Sequence, residues 1–421
     1  MTTDPEVFAE VLAATRRFVR EVVVPAEEEI ESRDEIPAEI RRQAAAMGLY
    51  GFALPERYGG LGLSMEEEVR LVFELGYTSP AFRSMFGTNN GIAGHVLLLA
   101  GSEDQRVAWL ARLASGEVTA AFALTEPGAG SDPTGLTTTA VRDGDGWRLD
   151  GTKRYITNAP VADVFMVFAR TSSPSGASSP ETPPTPPASA AGWPPPTLVG
   201  SPAAAGAPAP APRGGRGISV FLVPRATPGL SVGPRDEKMG QRGAWTADVV
   251  LEGAWVPAGS MVGAEGTGYA TSLRCLAHGR LHIAAVCVGL AERLVDESVA
   301  WASTRRQSGR AIATFQLVQA MLADSATDHA AARALVLEAA RAYDAGTDTR
   351  GGPAMAKYFA SEALGRVADR AVQVHGGAGY VRGSAAERFY RDARLFRIYE
   401  GTSQIQQLVI ARSLLRSAGV S

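Results

Sequence analysis

The chain has 421 residues, 45% of them hydrophobic and 20% charged, and 41 Lys and Arg against 44 Asp and Glu give a net charge of −3. That length exceeds one ordinary core and predicts two or three domains of a soluble globular protein. The charge balance excludes an electrostatic case for nucleic acid or a membrane surface, and no apolar run is long enough to span a bilayer.

The start, Met1 to Glu6, has neither the basic and apolar regions of a secretory signal nor the Arg/Ser-rich character of a transit peptide, so a cytoplasmic protein is expected. Residues 5–118 read as helices: Phe8, Val11, Leu12, Phe18 and Val19 recur at helical spacing, as do Val69, Leu71, Val72 and Leu75. Pro55 to Gly60 forms a turn-rich loop, and further helices are expected over His95 to Leu99 and Asp104 to Ala114.

The period then changes. Thr119 to Leu124, Ala140 to Arg142, Trp147 to Asp150, Val164 to Ala169, Ile218 to Val223 and Ala247 to Leu251 are short, β-branched or aromatic, and bounded by Gly, Asp and Pro. They predict strands of one antiparallel sheet, with a hairpin turn at Asp143-Gly144-Asp145-Gly146. Residues 173–214 hold 13 of the 26 prolines and little that builds a core, so they predict a disordered, partly polyproline-like insertion in a hairpin loop.

Long alanine-rich amphipathic segments follow over 268–304, 313–345, 353–374 and 402–417, with Gly346 and Gly351-Gly352 as breaks. Cys275 and Cys287 lie in one of these helices, which excludes a disulfide between them. With no histidine pair placed beside them they predict no metal site, and such thiols fit a reducing compartment. Domains are therefore expected at 1–118 (helical), 119–258 (sheet, carrying the insertion) and 259–421 (helical bundle).

The run Arg391 to Gln406 carries the most chemistry. It sets Glu400 beside Ile398 and Tyr399, which would strip water from the carboxylate and raise its pKa toward that of a general base. Gly401 allows a sharp turn and Thr402 suits the N-cap of the next helix. Local pattern alone favours a plain helix cap with a solvated glutamate. Phe122 to Asp132 runs from a strand into a glycine-rich turn whose amides, with the Thr125 and Ser131 hydroxyls, offer donors to a flat ligand.

The Tyr399-Glu400-Gly401-Thr402 turn resembles the signature before the last helix of the acyl-CoA dehydrogenases, and the order helix, sheet, helix matches that family's α+β fold. The resemblance implies an FAD enzyme in which Glu400 takes the α-proton of an acyl-CoA while the β-hydrogen leaves as hydride to flavin N5. It places Phe122, Leu124, Thr125 and Ser131 at the flavin, with Ser131 also near the substrate. Gly151 to Asn158 resembles the second flavin segment, placing Tyr155 (usually Trp), Ile156 and Thr157 there, and the resemblance adds Thr402 and Gln404 to the residues that bind the cofactor. Arg305 and Gln316 match residues that reach FAD from a neighbouring subunit, as do Gln373, Gly376 and Gly377, while His375 is a structural contact. Ser308 stands where the family usually has Phe. Arg280 matches the arginine near CoA, with Ala277 where many relatives carry Asp, and Gly401 completes the substrate set. A subset of the family puts its base at the position of Gly279, which has no side chain for the task. The implied partners are an acyl-CoA, an electron-transfer flavoprotein and further copies of the chain in a homotetramer or homodimer, within fatty-acid β-oxidation. An oxidase passing electrons to O2, a relative of flavin monooxygenases and a flavin-less scaffold are the rival readings, and the acyl chain is left open.

Overall fold

A computed structural model describes residues 4–171, 215 and 217–419. The expected proline-rich insertion at 173–214 lies outside the described residues.

The N-terminal helices are α1 (Pro5–Phe18), α2 (Glu27–Arg33), α3 (Ala38–Ala46), α4 (Met65–Leu75), α5 (Pro80–Gly87), α6 (Ala93–Ala100) and α7 (Glu103–Ser115). Their starts are written in the sequence. Asp4 caps α1, Ser64 with Glu67 and Ser102 with Gln105 form capping boxes on α4 and α7, and Ser79-Pro80 opens α5. Between α5 and α6 the chain stays helical but widens over Thr88–Ile92. Asn89 and Asn90, buried there, tie the widened turn to its surroundings. Asn89 donates to the Leu113 and Val118 carbonyls, and Asn90 accepts from the Ala53 amide and donates to the Leu49 carbonyl.

The central sheet runs β6-β7-β3-β2-β4-β5-β8, with β1 beside β4. Its strands are β1 (Ala120–Ala123), β2 (Thr139–Asp143), β3 (Gly146–Thr157), β4 (Val164–Arg170), β5 (Ile218–Pro224), β6 (Leu230–Arg235), β7 (Thr246–Pro257) and β8 (Met261–Val262). The expected hairpin is present: Asp143 pairs with Gly146 across Gly144, whose φ is +62°. The sheet is antiparallel as expected apart from β4, which pairs in parallel with β1 and, at Thr139 and Arg170, with β2. Strand β3 slips register between Lys153 and Ile156, and that irregularity holds Tyr155 at φ +57°.

The last region comprises α8 (Gly268–Thr304), a short hairpin of β9 (Arg306–Gln307) and β10 (Arg310–Ala311), then α9 (Gln316–Asp344), α10 (Gly351–His375), α11 (Gly377–Tyr380), α12 (Ala385–Ala393) and α13 (Ser403–Ser417). Cys275 and Cys287 are both buried free thiols on α8. Gly346, at φ +68°, follows α9 as expected. The expected break at Gly351-Gly352 is instead the first turn of α10. The Asp348 carboxylate accepts from both glycine amides at 2.7 and 2.6 Å, supplying a cap that offsets their poor helix propensity.

One hydrophobic core joins the N-terminal helices to the bundle, through residues such as Phe82, Phe86, Leu281 and Val288. Helix α8 crosses α4 closely because Gly289 faces its end: a Cβ on Gly289 would lie 2.1 Å from the Phe73 carbonyl oxygen. That tight crossing fixes the face of α8 carrying Gly279 and Arg280. Two smaller cores pack the two faces of the sheet, and the cleft opens where sheet, α5, α8 and α13 converge.

Candidate active site

The turn before α13 is built against conformational preference. Glu400 has φ +53° and Gly401 +89°, both left-handed. That conformation costs an L-residue about 1–2 kcal/mol, so neighbouring groups must hold it. Lys357 Nζ donates to the Gly401 carbonyl at 2.7 Å, and Gln406 Nε2 donates to the Glu400 and Gly401 carbonyls at 3.0 and 2.9 Å. Thr402 accepts from the Ile405 amide at 3.3 Å, the N-cap expected from sequence.

With its backbone tied back, Glu400 projects its carboxylate into a cleft of about 1780 Å³. Oε2 is buried and has no hydrogen-bond partner among the described residues. Burial pushes the carboxyl above its usual range, while Arg83, Arg280 and Lys357 pull against that rise. The enclosure differs from expectation. Ile398 is 48% exposed, and α8 closes on Glu400 at Gly279, where a Cβ would lie 2.4 Å from Oε2.

The opposite wall is rigid for a reason the sequence did not show. Beneath the glycine-rich loop, Glu126 takes Lys153 Nζ at 2.8 Å, and the backbone and hydroxyls of Thr137 and Thr138 at 2.5–3.0 Å. Burial opposes its charge, but Lys153 and these donors hold its carboxyl down at about 2. The loop's outer face is open: a Cβ on Gly128 or Gly130 would meet nothing within 4 Å. Leu124, Thr125 and Ser131 line the cleft beside that face, and Phe122, Tyr155, Ile156 and Thr157 continue the wall. Tyr155 is 61% exposed and lines the cleft, with the Arg154 guanidinium 4.8 Å from its ring centroid. An open glycine-rich loop, hydroxyl donors, an exposed aromatic ring and an unpaired carboxylate fit a flat heteroaromatic group such as a flavin.

Arg280, Gly401 and Thr402 line the same cleft. Arg305, Gln316, Gln373, Gly376, Gly377 and Gln404 do not line it, and all six are exposed. The first five gather at the far end of the bundle, where His375 stacks on Trp301 at 5.1 Å and its Nδ1 meets the Ala371 carbonyl at 2.7 Å. Arg305 follows Arg280 on α8 by 25 residues, roughly 37 Å along a straight helix.

Sequence reasoning missed Arg83, Lys357 and Gln406. Nothing in the local pattern sets these residues apart from the other polar residues of their helices, and only the fold aims each at the turn. Asp392 was also missed. It is buried, accepts from the Gln241 amide, and burial raises its carboxyl to about 7. Glu68, His278 and His282 bring one ligand atom each within 4.8 Å of one another. Arg83 Nη2 stands 3.0 Å from His282 Nδ1, and a fixed guanidinium there opposes a metal cation.

The chain matches the acyl-CoA dehydrogenase N-terminal domain over residues 6–117, the middle domain over 121–182 and the C-terminal domain over 266–415. It is 36% identical to the caffeyl-CoA reductase-Etf complex subunit CarC of Acetobacterium woodii, covering 92% of this chain and 93% of that one. Identity to the acyl-CoA dehydrogenase of Bacillus subtilis is 35%, covering 95% and 96%. Butyryl-CoA dehydrogenase of Megasphaera elsdenii superposes with a TM-score of 0.86 at 28% identity, over 99% of this chain and all of that structure.

Proposed function

The chain belongs to the acyl-CoA dehydrogenase family of oxidoreductases, and on that premise we propose that it oxidises the Cα–Cβ bond of an acyl-CoA thioester with Glu400 as the base. The observation that carries the reading is the strained turn that delivers a buried, unpaired Glu400 Oε2 to the cleft. FAD, the cofactor of the family, supplies the hydride acceptor when bound along Leu124, Thr125, Ser131, Tyr155 and Thr157.

Glu400 receives the α-proton. Its raised pKa matches it better to a weakly acidic carbon acid than a solvated carboxylate would be, and Arg83, Arg280 and Lys357 keep it ionisable. The Glu400 amide lies in the same turn and suits the thioester oxygen, where enolate-like charge develops. Arg350, Arg412 and Arg416 also line the cleft and suit the phosphates of CoA. The same groups serve the reverse reaction, so the electron partner sets the direction.

That partner is an electron-transfer flavoprotein in this proposal, a reading supported by the Etf complex to which the CarC relative belongs. We infer a homo-oligomer, dimer or tetramer, a reading supported by the position of Arg305, Gln316, Gln373, Gly376 and Gly377 outside the cleft, beyond the C-terminal end of α8. The exposed Leu317, Tyr380 and Val381 near them, at 82%, 84% and 65%, are surface that an interface would cover. No helix among the described residues is long and apolar enough to cross a membrane, and we place the enzyme in the cytoplasm, in β-oxidation.

Anaerobic titration of the yellow holoprotein with a panel of acyl-CoAs tests this. Bleaching of the flavin is expected, and its absence with every thioester would refute the reading. Stoichiometric peroxide in air would replace the flavoprotein partner with O2.

A further inference from the structure

The cleft holds a buried cation, Arg83, whose charge acts on Glu400 but whose hydrogen-bonding edge the chemistry above leaves unused. Arg83 is 7% exposed, lines the cleft, and has no ion pair among the described residues. Its one hydrogen bond runs from Nη2 to His282 Nδ1 at 3.0 Å, and its buried Nε has no partner. The surroundings are shaped for it. A Cβ on Gly87 would stand 2.6 Å from Nη1, and one on Gly91 3.7 Å from both Nη2 and His282 Nδ1. His282 is held from behind, its Nε2 2.5 Å from Glu68 Oε2. Because Nδ1 accepts from Arg83, His282 carries its proton on Nε2, and burial raises Glu68 and lowers His282. The guanidinium thus rests on a neutral acceptor: Glu400 favours its charge from a distance, but no carboxylate is in contact with it. An uncompensated buried cation is costly, and an opposite charge supplied by a ligand removes that cost.

We propose that Arg83 receives a carboxylate at the far end of the acyl group, so that the substrates are short ω-carboxyacyl-CoA thioesters. This deepens the reading of Glu400 as the base and rests on it. The spacing sets the length. His282, which holds Arg83, is three residues beyond Gly279, the point where α8 meets Glu400, a rise of roughly 5 Å. A carboxylate carbon at Arg83 then lies two or three carbons from the α-carbon, as in four- and five-carbon diacids. A planar guanidinium with free Nε and Nη1 edges suits a carboxylate better than a methyl terminus. A neutral acyl chain of equal length would leave the cation buried and unpaired.

The test uses the FAD holoprotein carrying Glu400→Gln, in which binding is read without turnover from perturbation of the flavin spectrum. Glutaryl-CoA is expected to bind at least ten-fold tighter than pentanoyl-CoA, which has the same number of carbons. Adding Arg83→Met is expected to lower that ratio at least 30-fold. Should the double variant lose its flavin, Arg83→Lys in the same background decides, with a ratio expected to fall several-fold. Pentanoyl-CoA binding as tightly as glutaryl-CoA, or a ratio indifferent to residue 83, would overturn the proposal. Wild-type flavin bleached faster by pentanoyl-CoA also overturns it, yet leaves Glu400 as the base. If neither thioester perturbs or bleaches the flavin, both readings fall together.

Discussion

Gly279 and Glu400 occupy one another's space: a Cβ at 279 would sit 2.4 Å from Glu400 Oε2 and 3.0 Å from Ile92 Cγ2. The carboxylate reaches the cleft only because α8 carries no side chain at that point. Any other residue there must push Glu400 from its place or be pushed by it.

Gly279→Ala therefore displaces the base without removing it. The helix tolerates alanine, so the protein should fold and hold flavin. The rate of flavin reduction by acyl-CoA, measured by stopped flow, should fall at least ten-fold, since misplacement by about 1 Å costs about two orders of magnitude.

Lys357 supports the turn twice, through its bond to the Gly401 carbonyl and through its charge. Lys357→Met removes a cation that pulls the Glu400 carboxyl down. Its pKa then rises further, and the acidic limb of the reduction rate against pH should move to higher pH. Gln406 still holds the turn, so flavin should stay bound. An unmoved limb would show that Lys357 acts only through the hydrogen bond.

The Glu126–Lys153 pair is buried on both sides, with side chains 2% and 0% exposed. Lys153→Met leaves an uncompensated carboxylate under the glycine-rich loop, and loss of about 3–5 kcal/mol is expected in denaturant unfolding. Flavin affinity should fall with it. Because Glu126 is held at about 2 against 4.5, its contribution in the wild type is present above pH 4.5 and is lost as pH falls toward 2.

Asp392 has the opposite sign. Its carboxyl is raised from 3.8 to about 7, so the folded state binds the extra proton between those values. Its contribution is full below pH 3.8 and is lost as pH rises through 7. Asp392→Asn keeps an acceptor for the Gln241 amide and does not titrate. Compared by thermal melts, the variant should gain on the wild type between pH 4 and 7, by at most about 3 kcal/mol.

Much of this was legible in the sequence, and the reasons for the rest are physical. Helix α8 announces itself from Gly268 to Thr304 because long apolar periodicity outlasts local noise. The Glu400 turn is legible because Gly401 and Thr402 mark both the strained backbone and the next cap. Strand β6 was not, since Gly233 and Pro234 interrupt its pattern and sheet pairing with β7 overrides their low propensity. The parallel pairing of β1 with β4 depends on long-range packing that a local pattern does not encode. Nothing in the sequence around Arg83 marks it out. Only the fold, by bringing Gly87, Gly91 and His282 around it, makes it a buried cation aimed at the cleft.

The central claim is that Glu400 removes the α-proton, and the reductive half-reaction of Glu400→Gln tests it most directly. The variant should remain yellow, bind acyl-CoA, and reduce its flavin at least 10³-fold more slowly than the wild type, whose own rate should fall when the α-carbon carries deuterium. Reduction at the wild-type rate by Glu400→Gln would contradict the account.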